Sequence, residues 1–248
     1  MDEKWSFVGK KEARCDPGNP LDCLRGDNWD HTAVDPEHRL VLSLVPGKRT
    51  AENCEKLIEE VKQRTGGRTD ILFTSDEHPP YPGALEKAYS RDVPVSKLPG
   101  PGRPPHPQKV MPPDLCYATV HKTRKKGIVV SVVRAIVFGM QRLLDQFLAR
   151  SEVSSTINTS FVERNNGTDR GQNARKTRKS YCFSKDWDVH NAASYFIAYS
   201  YNFCWAVRTL NQAGPDGTQL KCTPAMSAGL SDHVWTTLEW VTYPARGL

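Results

Sequence analysis

The chain has seven cysteines, but no two of them stand in a C-x-x-C pair. An odd count without that spacing argues against both a disulfide framework and a zinc knuckle. Cys15 and Cys23 share a Gly/Pro-containing loop, but no second ligand pair lies near them in sequence. Long apolar runs are also lacking. The longest, IVVSVVRAIVF over Ile128–Phe138, is too short to span a bilayer and is interrupted by Arg134. The N-terminus is polar and charged, unlike a secretory leader. These absences predict a cytoplasmic protein without a membrane partner. No segment repeats at a period of 20 to 50 residues, which excludes a solenoid.

What is present is enough apolar material for a core: 38% of 248 residues. The formal charge of +6 comes from 34 Lys and Arg against 28 Asp and Glu. The excess is modest, but the positive charges cluster at HKTRKK (residues 121–126) and ARKTRKS (residues 174–180). Such runs form either solvated faces or phosphate-binding surfaces.

Trp5 and Phe7 alternate with Lys4 and Ser6, the pattern of a strand with one face buried. NWDHTAV and HRLVLSLV read as two further strands joined at the turn DPEH, so the chain opens with a three-stranded antiparallel meander. A helix follows, capped by Thr50 and stopped at Gly66, with Ala51, Cys54, Leu57, Ile58 and Val61 on one face. A short buried strand at residues 71–73 then leads into the acidic loop Asp76, Glu77, His78. Residues 91–113 hold eight prolines and read as an insertion or linker. Strand material returns at Ile128–Phe138, FGMQRLLDQFLAR reads as a helix, and residues 160–210 are mostly helical. The aromatics of NAASYFIAYSYNFCWAVRTL lie at helical spacing and are expected to pack a core. The order suits an α/β fold whose mixed sheet has three antiparallel strands followed by parallel ones, flanked by helices.

Three acids stand out by position: Asp2 on the first strand, Asp76 just past the fourth, and Glu163 in SFVERNNGT. In a sheet ordered 3-2-1-4, Asp2 and Asp76 project into one cleft, and a later helix can bring Glu163 to them. Crowded carboxylates need a cation, and hard oxygen ligands favour Mg²⁺ or Mn²⁺. Such a site suits in-line phosphoryl transfer with two metals about 3.5–4 Å apart. Seven helical steps return Arg170 to the face of Glu163, where it can hold a phosphate. Against this helix stands the turn signal NNG at residues 165–167.

DEKWSFVGKK, LFTSDEHPPYPGALEKAY and NTSFVERNNGT followed by NARKTRKSYCFSKD together resemble the catalytic blocks of the insertion sequence 1 family of bacterial transposases. TPAMSAGLSDHVWTTLEW is similar to a tail of such proteins. The resemblance covers most of residues 2–90 and 115–240. It implies an RNase H-like catalytic domain over residues 1–210 with the Pro-rich insertion at 91–113, then a C-terminal tail at 211–248. It also implies a DDE triad on Asp2, Asp76 and Glu163, all three metal ligands, with the family's basic residue on Arg170. Divalent metal, DNA ends and target, and a homo-oligomer on DNA follow from the same likeness, as do DNA contacts through Arg164, Arg170, Arg175, Lys176, Arg178 and Lys179. The family usually carries a zinc-binding and helix-turn-helix region before the first Asp, where this sequence has Met1 alone. An upstream-encoded DNA-binding region is therefore an expected partner, and the chain alone is expected to bind DNA without end specificity and to cut it poorly or not at all. Two other readings stand beside this one: a truncated remnant that binds DNA without cutting it, and a stand-alone RNase H-like nuclease.

Overall fold

A computed structural model describes residues 1–95, 106–214 and 216–244. In chain order the elements are β1 (Asp2–Val8), β2 (Gly26–Asp35), β3 (Leu40–Gly47), α1 (Ala51–Arg64), β4 (Leu72–Ser75), α2 (Pro80–Tyr89), β5 (Arg91–Val93) and β6 (Gln108–Val110). They continue with β7 (Cys116–Lys125), β8 (Ile128–Phe138), α3 (Gln141–Arg150), α4 (Ser160–Gln172), α5 (Trp187–Cys204), β9 (Gln212–Ala213), β10 (Gln219–Leu220), α6 (Pro224–Ser227) and α7 (Thr237–Thr242). Among the described residues no helix is long and apolar enough to cross a membrane. The chain is mixed α/β and divides into two compact units, one of Thr50–Thr159 with Met1, the other of Asp2–Arg49 with Ser160–Leu248.

In the unit that includes Thr50–Thr159, β4 pairs in parallel with β7, and β7 pairs antiparallel with β8, so the sheet is mixed. Helix α1 starts where Thr50 Oγ1 accepts from the Asn53 amide and ends before Gly66, whose φ of +65° is the left-handed stop expected of that glycine. Its buried face is Cys54, Leu57, Ile58 and Val61, as the spacing predicts, whereas Ala51 is exposed. Cys116, Ala118, Val120, Leu144 and Ile157 form a second apolar layer where α3 covers the sheet. Among the described residues the flanks of the Pro-rich segment, β5 and β6, pair with each other and with no other strand; residues 96–105 of that segment lie outside the described residues.

In the other unit β1, β2 and β3 form the expected antiparallel meander, with Lys4 opposite Asp30 and Trp29 opposite Gly47. The predicted order 3-2-1-4 is met here as 3-2-1, while β4 belongs to the ladder with β7. The more deeply buried face of β1 is its polar one: Lys4 is 2% and Ser6 4% exposed, whereas Trp5 and Phe7 are half-buried. Helix α5 differs from expectation in a similar way. Its deepest line is His190, Ser194, Ala198 and Asn202, small or polar side chains at i, i+4 spacing. The aromatics flank that line, and Phe203 packs on Trp235 and Trp240 of the C-terminal segment. Small residues let α5 approach β3 closely enough for Asn202 to act as a strand partner. Its Oδ1 accepts from the Val41 amide at 2.9 Å and its Nδ2 donates to the Val41 carbonyl at 3.0 Å.

Asn202→Leu strands both backbone groups of buried Val41. It is expected to destabilise the fold by about 2–4 kcal/mol in urea unfolding, and Asn202→Asp is expected to recover only part of the loss because it lacks the donor.

Candidate active site

Asp2 is half-buried at the start of β1, its backbone opposite Thr32 in the ladder. Its carboxylate Oδ2 accepts a hydrogen bond from Asn166 Nδ2 at 2.6 Å. Asn166 is buried on α4, three residues after Glu163, so the two stand one turn apart on neighbouring positions of the same helix surface. Glu163 itself is exposed and lies in the first turn, where a carboxylate is favoured by the helix dipole. Helix α4 runs unbroken through Asn165, Asn166 and Gly167 despite the local turn signal. A mid-helix glycine costs about 1 kcal/mol, and the contacts of Asn166 and Asp169 with β1 offset that.

One turn further along α4, Arg170 is half-buried. Burial pulls its guanidinium below the usual value and Arg178 adds to this, while Asp2, Asp169 and Asp30 pull it back up. Arg170 therefore lies within electrostatic reach of the acids of β1, β2 and its own helix. Asp76 follows β4 directly, at the tip of that strand and in the other unit.

Beneath Asp2 lies a buried ion cluster that sequence reading did not reveal. Asp30 of β2, fully buried, sits 3.2 Å from Lys4 Nζ and 2.6 Å from Lys176 Nζ. Asp169 of α4 bonds Lys4 closely and lies 3.5 Å from Lys176. Two cations and two anions thus neutralise one another out of water. Burial alone would push the Asp30 carboxyl up, but Lys176 and Lys4 outweigh it and hold it well below the usual carboxylate range. Burial likewise opposes the Lys4 charge, and Asp30 and Asp169 reverse that, leaving its ammonium above its ordinary value. His190 of α5 closes the cluster: its Nδ1 lies 2.8 Å from Ser184 Oγ and its Nε2 3.3 Å from Ser6 Oγ. Burial lowers its pKa to about 4, with Lys176, Arg175 and Lys4 repelling a further positive charge and Asp30 only partly compensating.

The basic run divides accordingly. Arg178 and Lys179 are exposed and Arg175 is half-buried, so they remain available to a phosphate backbone, as does exposed Arg164. Lys176 does not. Its side chain has no exposure, because a short 3-10 turn over Ala174–Lys176, capped by the Asn173 side chain, turns it inward onto Asp30. The assignment of Lys176 to DNA is therefore corrected to a structural counter-ion. A run of like charges gives no sign of which member points inward, and the partners Asp30 and Asp169 are too distant from or too ordinary beside it in sequence to mark Lys176 out.

Neither a family profile nor a curated protein nor a solved structure matches the chain.

Two outcomes are expected. Lys176→Met leaves Asp30 under-compensated and should cost about 3–5 kcal/mol in denaturant unfolding, whereas Arg178→Ser should leave stability within about 0.5 kcal/mol. His190 is neutral in the fold, with its pKa depressed below the unfolded value of 6.5. Its contribution is complete above pH 6.5 and is lost as pH falls toward 4, by roughly 3 kcal/mol. Urea unfolding across pH 7 to 4 should show that loss, and His190→Gln should flatten it; the Asp30 contribution is lost only at lower pH, below about 4.

Proposed function

We propose that the chain is the catalytic domain of a DDE transposase, with an RNase H-like arrangement of its strands, which cleaves DNA and joins the freed 3′-hydroxyl to a target. The observation that carries the reading is the bond from Asn166 to Asp2. It couples the acid of β1 to the helix that bears Glu163 and Arg170, the residues on which the resemblance to the transposase family places the last acid and the basic residue. Asp76 at the tip of β4 completes the triad in this proposal.

The donor set fits a hard divalent cation: carboxylates without thiolate or imidazole suit Mg²⁺ or Mn²⁺. When bound through Asp2, Asp76 and Glu163, such ions would neutralise charge on the attacking and leaving oxygens of a phosphodiester. The chain's own residues do the rest. Asn166 holds one oxygen of Asp2 and so orients the carboxylate. Arg170, always protonated, places a fixed positive charge beside it that can hold a phosphate oxygen. Arg175, Arg178 and Lys179 hold the backbone of the strand without reading its bases.

The test uses labelled duplex DNA with Mn²⁺ or Mg²⁺, together with thermal unfolding in the same metal. Metal at 100 times its dissociation constant should stabilise the protein by about 2.7 kcal/mol. Asp76→Ala and Glu163→Gln should each remove most of that shift and abolish nicking, while leaving duplex binding in place. An unchanged shift in both variants would overturn the triad. Nicking without joining of a 3′-hydroxyl end would indicate a nuclease, and duplex binding without nicking would indicate a remnant.

A further inference from the structure

The hairpin of β7 and β8 has a distal half that the triad does not use. From Thr123 to Ala135 every residue is exposed, on both faces, although the strands are regularly paired: Thr123 with Ser131, Arg124 with Val129, Lys125 with Ile128. A strand lying on a core alternates buried and exposed side chains. This one does not, so the hairpin end stands clear of the rest of its unit. Its turn is built for the purpose. Lys126 at φ +49° and Gly127 at φ +83° form a two-residue connection with both residues left-handed, the geometry that matches the twist of a hairpin.

The charge of this arm is one-sided. Residues 116–144 contain no Asp or Glu, whereas the arm carries Lys122, Arg124, Lys125 and Lys126. Lys122 donates to Thr159 and His121 lies against Glu77 near the base, while Arg124, Lys125 and Lys126 are exposed at the tip. On the adjoining strand Ile128, Val130 and Val133 are 70%, 52% and 54% exposed. A basic ribbon with a small apolar strand beside it is complementary to a polyanion whose groove also offers methyl groups. The major groove of B-DNA, about 12 Å wide, admits a two-stranded ribbon and displays thymine methyls.

We propose that the hairpin arm over residues 121–133 is a second contact to duplex DNA, laid in the major groove with Arg124, Lys125 and Lys126 on the phosphates, separate from the run at residues 175–179. The inference rests on the reading of the chain as a DNA-processing protein and adds where the duplex outside the cleavage point is held. The position of the arm in the fold requires the occupant to be reached from solvent, which a long duplex satisfies.

The experiment measures fluorescence anisotropy of the full chain with a labelled 30-base-pair duplex across a salt series. It compares Arg124→Ser/Lys125→Ser/Lys126→Ser with Arg175→Ser/Arg178→Ser/Lys179→Ser. Loss of three phosphate contacts should weaken binding at low salt by about tenfold or more and flatten the salt dependence by about 0.9 per contact. Circular dichroism should be unchanged, since all three tip residues are exposed. Weakened binding in the hairpin variant supports the arm. Weakening only in the second variant overturns the arm and leaves the DNA reading standing. Weakening in neither overturns the DNA reading itself. A hairpin variant that changes sedimentation of the free protein, with DNA binding intact, would assign the surface to a second copy of this chain and overturn the proposal.

Discussion

The unit that includes Asp2 depends on a condition of electrical neutrality inside it. Lys4, Asp30, Asp169 and Lys176 come from β1, β2, α4 and the turn after α4, and all four are withdrawn from water. An ion buried alone costs several kcal/mol even after the protein relaxes, so each of these elements is held where its charge meets its counterpart. Neutral replacements of the same shape can be as stable; removing one partner is what costs most. The cluster thereby specifies an arrangement more than it adds to stability.

That arrangement passes to the residues above it by short covalent steps. Asp2 lies two residues before Lys4 on the same strand face, Asn166 three residues before Asp169 on the same helix surface, and Arg170 is next to Asp169. Fixing Lys4 against Asp169 therefore fixes Asp2 against Asn166 without any demand on the acids themselves. His190 seals the cluster as a neutral ring, and that explains why a titratable residue sits buried in the first turn of α5 where an apolar one would be expected.

The two basic runs look alike in sequence and are used differently. One is folded back so that its central lysine becomes a counter-ion, while its neighbours stay at the surface. The other lies at the end of a paired hairpin whose side chains are exposed on both faces. Local backbone geometry makes the difference: a 3-10 turn rotates successive side chains by about 120°, whereas a strand alternates them.

By itself the sequence determined many of the elements and their order, but not α2 or β7, which no local pattern had marked. The meander, the helix from Thr50 to Gly66 with its buried Cys54, Leu57, Ile58 and Val61, the strand before Asp76 and the strand at Ile128–Phe138 all follow from periodicity and turn chemistry, which act within a few residues. The tertiary structure alone decided which face is inside. Alternation of Trp5 and Phe7 with Lys4 and Ser6 says that one face of β1 is buried, and the aromatic face is the natural choice. Burial of the polar face requires Asp30, Asp169 and Lys176, which lie 26, 165 and 172 residues away from Lys4, and no local pattern records partners at that distance. The helix through Asn165, Asn166 and Gly167 was decided in the same way: its local cost is about 1 kcal/mol, and the long-range bonds of Asn166 and Asp169 exceed it.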